Sequence, residues 1–203
     1  MGLIPQAVPL AIPLGLTFGI AFGMARRTPT RAITKVILLC AVLGSFVSFA
    51  IMGWIMPAAN QAFRESVART KGITGQLLKG PSEMTLSELK REEAIASAGD
   101  VRQADAYAWS FHLRFALSGA SVVLAGFLLA TAGTSAAARG LISLGACLVY
   151  WGLIYTGEWL AVYHAIVPAI AGAWLPNLVL TAVAIFIASS SSSRLRGPDG
   201  ATQ

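Results

Sequence analysis

Residues 36–56 read VILLCAVLGSFVSFAIMGWIM, a run in which no side chain is charged. Because an α-helix rises 1.5 Å per residue, about 20 apolar residues are enough to cross the roughly 30 Å hydrocarbon core of a bilayer. Of the 203 residues, 56% are apolar and only 12% are charged. Water-soluble domains carry about 25% charged residues. The run and the composition together predict a protein that spans a membrane.

Four further apolar runs have the same character, and short charged stretches separate them. They cover residues 3–25, 115 to about 132, 141–162 and roughly 173–188. The last run follows the sequence Trp174-Leu175-Pro176-Asn177, in which proline suits a first helical turn and tryptophan suits the headgroup level. We therefore predict an all-α integral membrane bundle of about five transmembrane helices plus a short extramembrane helix.

The short extramembrane helix is predicted to lie in the hydrophilic segment 57–110. Thr85 and Glu88 have the spacing of a capping box, which predicts a helix N-terminus, and Gly99 is placed to end that helix. No sustained alternation of apolar and polar residues predicts a β domain. The predicted organisation is two transmembrane helices in 1–56, this segment in 57–110, three transmembrane helices in 111–188 and a disordered tail in 189–203.

The basic residues predict the orientation. The loop between the first two runs carries Arg26, Arg27, Arg31 and Lys35 and no acidic residue, as is typical of a cytoplasmic loop. With five spans, alternation places the N-terminus and segment 57–110 outside and the C-terminus inside. This segment carries seven basic and seven acidic residues, which suits an external loop.

Several classes of function are not supported by the sequence. The net charge of +6 does not indicate nucleic-acid binding, because the basic residues lie at the ends of apolar runs and form no patch interleaved with aromatic residues. Cys40 and Cys147 lie inside apolar runs without a CxxC or Cys/His cluster, so no metal site is predicted. No nucleophile–base pair, phosphate-binding glycine loop or acidic dyad occurs in a soluble segment. We therefore predict no catalytic residue, no enzymatic activity and no cofactor.

Three glycines in the first run, Gly15, Gly19 and Gly23, recur every four residues. Glycines at this spacing share one helix face and let a second backbone approach closely. We interpret them as a helix-packing face, either fixed or sliding.

Short motifs at five places follow one another along the chain. They are PLAIPLG at 9–15, WIMPAAN at 54–60, MTLSEL at 84–89, HLRF at 112–115, and the pair GExL at 157–160 and AWLPN at 173–177. They resemble the lipopolysaccharide export permease family LptF/LptG. The resemblance implies a bacterial inner-membrane protein with its outer side in the periplasm. It also implies the permease-type subunit of an ABC transporter, with a membrane lipid as substrate. The partners would be a second permease, in a homo- or heterodimer, and a separate cytoplasmic ATPase.

Three departures from the family pattern are expected to matter. The chain opens inside the equivalent of the family's second helix, segment 57–110 replaces its periplasmic β-jellyroll, and residues 26–31 lack the acidic residue and glycine turn of its coupling segment. We therefore expect a shortened permease. A non-transporting structural subunit of this family is the alternative. A haem-carrying membrane subunit, with His112 and His164 as ligands, is a third interpretation.

Two charged residues near the outer helix ends are candidate lipid-headgroup contacts. Glu158 is the only carboxylate inside an apolar run, where a charge costs about 2.5–3.5 kcal/mol at the bilayer centre. Arg114 begins the third run, and a guanidinium can bind phosphate through two parallel hydrogen bonds. The alternatives are a snorkelling anchor for Arg114 and an interfacial ion pair between the two residues.

The basic loop is a candidate docking site for the ATPase. Its four basic residues, Arg26, Arg27, Arg31 and Lys35, would face the cytoplasm in the predicted orientation. The alternative is that they only set the topology against anionic lipid.

Overall fold

The computed structural model describes Gly15 and residues 31–71, 79–131 and 134–194. These residues form helices and turns and no β-strand, which confirms the predicted all-α class. Four helices among them are long and apolar enough to cross a membrane: Arg31–Thr70, Val101–Ala130, Ala137–Tyr163 and Ala169–Ser190. The first predicted run, 3–25, lies outside the described residues apart from Gly15.

The first described span is one continuous helix in three parts. Helix α1 covers Arg31–Ala50, a π-helical turn covers Ile51–Ile55, and helix α2 covers Met56–Thr70. The second predicted transmembrane helix was confined to residues 1–56, whereas the helix continues through Pro57 to Thr70. The wider turn, in which Met56 donates its N–H to the carbonyl of Ile51, precedes Pro57 and lets the proline occupy the first turn of α2.

A 3₁₀ turn at Pro81–Glu83 leads into helix α3, Leu86–Ala96. The predicted capping box is confirmed, because the Thr85 N–H donates to Glu88 Oε2 at 2.7 Å and the Glu88 N–H donates to Thr85 Oγ1 at 3.3 Å. Gly99 lies in the turn that follows the helix. Leu89 is fully buried beside Tyr107, so α3 packs on the next helix.

Helix α4, Val101–Ala130, is the central helix and packs mainly against α1, α3 and the last helix. It begins at Asp100, whose carboxylate accepts a hydrogen bond from the Gln103 N–H at 3.1 Å. The sequence predicted a start near residue 115. The polar residues before that point belong to the same helix, because Asp100 caps its N-terminus about four turns earlier.

Helix α5 covers Ala136–Glu158 and continues into a second π-helical turn, Trp159–Tyr163. Helix α6 covers Ala169–Arg194, so Pro176 lies inside it and not in its first turn, contrary to the prediction. The helix also extends into the segment predicted to be disordered. The hydroxyls of Ser189 and Ser190 both donate to the Phe186 carbonyl at 2.9 Å, so these serines bond within the helix. Residues 195–203 lie outside the described residues.

A buried polar network joins α4, α5 and α6. The hydroxyl of Tyr150 donates to Asn177 Oδ1 at 3.0 Å, and Asn177 Nδ2 donates to the Ala116 carbonyl at 2.8 Å. Tyr150 and Asn177 are buried in the main apolar core, where unpaired polar groups would be costly. The network therefore fixes the register of three helices at one level.

Two glycines bring α5 and α6 into backbone contact. Pro176 has no N–H, so the Gly172 carbonyl four residues earlier lacks its usual helical partner. A Cβ added at Gly157 would collide with that carbonyl group, and a Cβ added at Gly172 would lie 2.6 Å from the Gly157 oxygen. Only residues without a side chain fit this crossing.

We expect Gly157→Ala to lower the free energy of unfolding by about 1–3 kcal/mol, because an added methyl overpacks the crossing. Gly152, on the same helix, is the matched control, since it is exposed and a Cβ there meets no described atom within 4 Å. Unfolding by an ionic detergent, followed by circular dichroism, measures the difference. Equal effects of the two substitutions would contradict the close crossing.

Candidate functional site

The spanning helices alternate in direction, which separates the charged residues into two ends. One end, the basic end, holds Arg31, Lys35, Arg139 and Arg194. At the other end, the cap end, α2, the Pro81–Glu83 turn and α3 together form what we call the cap. Ile37 and Ala41 near the start of α1 pack against Ala125 near the end of α4, in agreement with this alternation.

A cavity of about 90 Å³ lies at the cap end between the long first helix, α4, α5 and the Pro81–Glu83 turn. Most of its wall is apolar, with side chains of Met52, Met56, Leu113, Leu117, Trp151 and Ile154. The polar part of the wall includes Arg114, Trp109 and Glu158. A cavity that combines an apolar wall with a few converging polar groups is the usual form of a ligand site.

The structure brings the two predicted headgroup residues to this one cavity. Arg114 is only 5% exposed, and its Nη2 donates to the Pro81 carbonyl at 3.0 Å. Its Nη1 is buried and has no hydrogen-bond partner in the described part of the chain. Glu158 is half-buried on the opposite helix. Among the described side chains, no ion pair within 4.0 Å joins Arg114 and Glu158.

Trp109 is a site residue that the sequence analysis missed. Its side chain is buried in the cavity wall, and its Nε1 has no hydrogen-bond partner among the described residues. In the sequence Trp109 precedes the third apolar run, where a tryptophan ordinarily indicates an interfacial anchor, so its position gave no signal. The informative feature is the burial of the indole N–H, which depends on the neighbouring helices.

The Pro81–Glu83 turn is anchored from two sides at the mouth of the cavity. Asn60 Nδ2 on α2 donates to the Ser82 carbonyl at 3.0 Å, and Arg64 forms a 3.0 Å ion pair with Glu83. Arg114 on α4 holds the Pro81 carbonyl. The turn therefore ties the outer extension of the first helix to α4.

Both π-helical turns lie next to the cavity. Met52 belongs to the first of them, and Glu158 immediately precedes the second. Such turns are frequent at functional sites because they shift side chains out of regular helical register.

The remaining predicted residues lie elsewhere. Arg31 and Lys35 are exposed one helical turn apart at the start of α1, whereas Arg26 and Arg27 lie outside the described residues. Gly15 is helical, and a Cβ there would meet no described atom within 4 Å. Gly19 and Gly23 also lie outside the described residues.

The two histidines each contact an aromatic neighbour. The ring centroids of His112 and Phe111 are 5.3 Å apart, and those of His164 and Trp159 are 3.9 Å apart. Within residues 31–71, 79–131 and 134–194, no group of three His, Cys, Asp or Glu side chains is placed to hold a metal ion.

Residues 66–190 match the sequence profile of the lipopolysaccharide export system permease LptF/LptG. The chain belongs to this family. The match confirms the resemblance to the family and contains the motifs from residue 84 onwards, together with Trp109, Arg114 and Glu158. No individual curated protein matches the chain.

Membership of the LptF/LptG family and the four apolar helices make this a multi-pass protein of the bacterial inner membrane. Family members are permease-type subunits of lipopolysaccharide export and are not enzymes themselves.

The ion pair between Glu88 and Lys79 predicts that the stability of α3 depends on pH. The Lys79 ammonium, 2.8 Å from Glu88 Oε1, and the backbone N–H of Thr85 lower the pKa of Glu88 from 4.5 to about 2. A carboxyl group with a lowered pKa stabilises the fold above pH 4.5 and loses that contribution as the pH falls towards 2. We expect the hydrogen-exchange protection of α3 to fall over this range.

Glu88→Gln is the matched variant for this prediction, because glutamine keeps the capping box but loses the ion pair with Lys79. Protection of α3 in the variant should fall less between pH 4.5 and 2 than in the wild type. An equal pH dependence in both proteins would exclude Glu88 as the titrating group.

Proposed function

We propose that this protein is a permease-type transmembrane subunit of an ABC transporter that exports a lipopolysaccharide-like lipid, with ATP hydrolysed by a separate subunit. The observation that carries the proposal is the LptF/LptG match over residues 66–190. The cavity at the cap end supports it, since that is where a permease would meet the headgroup of a lipid leaving the membrane.

The charges support an orientation with the basic end in the cytoplasm. Among the described residues, all eight acidic side chains lie in the cap or near its end of the bundle, and the basic end carries none. Cytoplasmic loops are enriched in lysine and arginine, so the cap would face the periplasm. The C-terminus would then be cytoplasmic, and with the predicted run 3–25 as a further span the N-terminus would be periplasmic.

The exposed apolar faces of the first described helix support the proposal of a partner in the membrane. It buries a narrow stripe, Ile37, Ala41, Gly44 and Ser48, mainly against α4. On its other faces Leu39, Leu43 and Phe46 are 55–69% exposed. These exposed faces are available to a second permease, and a lipid groove would form between the two subunits.

The basic loop would dock on the ATPase. Arg31 and Lys35 project from one side of the first turns of α1, and the sequence adds Arg26 and Arg27 just before them. Four positive charges without an acidic neighbour suit a negatively charged patch on a cytoplasmic protein.

Affinity purification from the native membrane should recover an ATPase subunit and a second permease with the wild-type protein. Changing Arg26, Arg27, Arg31 and Lys35 to Gln should remove the ATPase but not the second permease, because only the docking charges are lost. The matched control changes four exposed basic residues of the cap end, Arg69, Lys71, Lys90 and Arg102, to Gln.

Two results of this purification would count against the proposal. Full recovery of the ATPase with the basic-loop variant would exclude docking by these charges. A wild-type protein that recovers no ATPase would favour the alternative of a non-transporting structural subunit.

Arg114 and Glu158 would contact the lipid headgroup. We expect Arg114→Ala to weaken lipopolysaccharide binding about tenfold or more, because a hydrogen bond to a charged group contributes about 1.5–3 kcal/mol. Thermophoresis in detergent measures the dissociation constant. Arg102→Ala, an exposed arginine on the same helix, is the control. Unchanged binding by Arg114→Ala would exclude the headgroup role.

A further inference from the structure

Two residues of α4 that line the cavity each carry a buried N–H group without a hydrogen-bond partner in the described part of the chain. These groups are Arg114 Nη1 and Trp109 Nε1. Their side chains are 5% and 7% exposed. A buried donor left unsatisfied costs about 1–3 kcal/mol, and more when it is charged. The pair therefore lacks an acceptor among the described residues, and a bound ligand could supply one.

The position of the guanidinium is fixed. Its Nη2 is held by the Pro81 carbonyl at 3.0 Å, and the turn that carries Pro81 is itself anchored by Asn60 and Arg64. A guanidinium held in this way presents Nη1 in one direction. A phosphate oxygen is the acceptor that best matches a charged N–H beside an indole N–H.

Glu158 lies in the cavity wall on α5. Its carboxylate makes no hydrogen bond or ion pair with any described residue, and it is half-buried. A donor or a cation stabilises a carboxylate that is partly removed from water. A ligand that reaches Arg114 in this cavity therefore also meets the Glu158 side chain.

The neighbouring charges of the cap do not neutralise these two residues. Arg64 pairs with Glu83 at 3.0 Å, and Lys79 pairs with Glu88 at 2.8 Å. The cavity thus presents one positive and one negative side chain that do not pair with each other.

Electrostatic repulsion by these two side chains further restricts the charge of a ligand that can bind in the cavity. Glu158 disfavours a simple anion, and Arg114 disfavours a simple cation, so a ligand that carries both charges is selected. A cavity of about 90 Å³ has room for several water molecules and therefore for a small polar group.

We propose that this cavity is a subsite for a zwitterionic group in which a phosphate and a primary ammonium are joined by a short linker, as in an ethanolamine phosphate. The phosphate binds Arg114 and Trp109, and the ammonium donates to Glu158. This assignment rests on the proposed headgroup role of Arg114 and Glu158. It adds the chemical class of the group that they recognise.

The apolar wall favours a lipid as the source of this group. Met52 and Met56 line the cavity from the first helix, and Trp151 lines it from α5. Methionine side chains adapt to irregular apolar chains, so they suit the beginning of an acyl region beside the headgroup.

Calorimetric titration of the full-length protein in a non-ionic detergent tests the proposal. The probes are dihexanoyl phosphatidylethanolamine, phosphatidylcholine and phosphatidylglycerol, with soluble phosphoethanolamine as a fourth. We expect the ethanolamine lipid to bind about tenfold more tightly than the choline lipid, because a quaternary ammonium has no N–H for Glu158. The glycerol lipid should also bind more weakly, since it is a simple anion.

Two conservative variants separate the two halves of the subsite. Glu158→Gln should bring the ethanolamine-to-choline affinity ratio close to one. Trp109→Phe removes one N–H and keeps an aromatic ring, so it should weaken both of these lipids several-fold and leave their ratio unchanged. Glu65→Gln, at an exposed carboxylate of the cap, is the control and should change neither value.

The outcomes distinguish this inference from the proposed function. Equal binding of the three lipids, with a loss on Arg114→Ala, overturns the zwitterionic subsite and leaves a headgroup site. Equal binding that Arg114→Ala does not change overturns both. Soluble phosphoethanolamine that binds as tightly as the lipid supports the zwitterionic chemistry and overturns its lipid source.

Discussion

The hydrogen bond from Arg114 to the Pro81 carbonyl joins the two parts of this molecule. Arg114 belongs to the central helix α4, and Pro81 belongs to the turn that α2 also holds through Asn60 and Arg64. The bond satisfies one of the five N–H donors of a buried guanidinium and holds the turn at the mouth of the cavity. Without it, the cap would contact the bundle mainly through the apolar cluster of Met84, Leu89 and Tyr107.

Polar groups inside the bundle are treated in two different ways. Where α4, α5 and α6 meet, Tyr150 and Asn177 satisfy each other and the Ala116 carbonyl, as an apolar surrounding requires. At the cavity, Arg114 Nη1 and Trp109 Nε1 stay without a partner among the described residues. In our proposal, the two donors at the cavity bind an acceptor from a ligand, whereas the network of Tyr150 and Asn177 holds the helices together.

The fold was largely predictable from local patterns. Apolar runs predicted the four described spans, and the Thr85–Glu88 spacing predicted the start of α3. Arg114 and Glu158 could be selected because charges beside apolar runs are rare, although no sequence pattern shows that they share a cavity. The passage of the first helix through Pro57 was not predictable, because the π-helical turn that accommodates it is not encoded by a local motif. The hydrogen bonds that anchor the Pro81–Glu83 turn were also not predictable from the sequence. Asn60 and Arg114 are 22 and 33 residues from the carbonyl groups that they bind.

The uninterrupted helix Arg31–Thr70 has a mechanical consequence. Its 40 residues make a rod of about 60 Å, roughly twice the thickness of the hydrocarbon core. One end carries the exposed Arg31 and Lys35, and the other end grips the turn at the cavity mouth through Asn60 and Arg64. A tilt of about 5° around the midpoint of such a rod displaces each tip by about 2–3 Å. A displacement of the helix at one face of the membrane is therefore transmitted to the opposite face along this one helix, which is irregular at the π-helical turn.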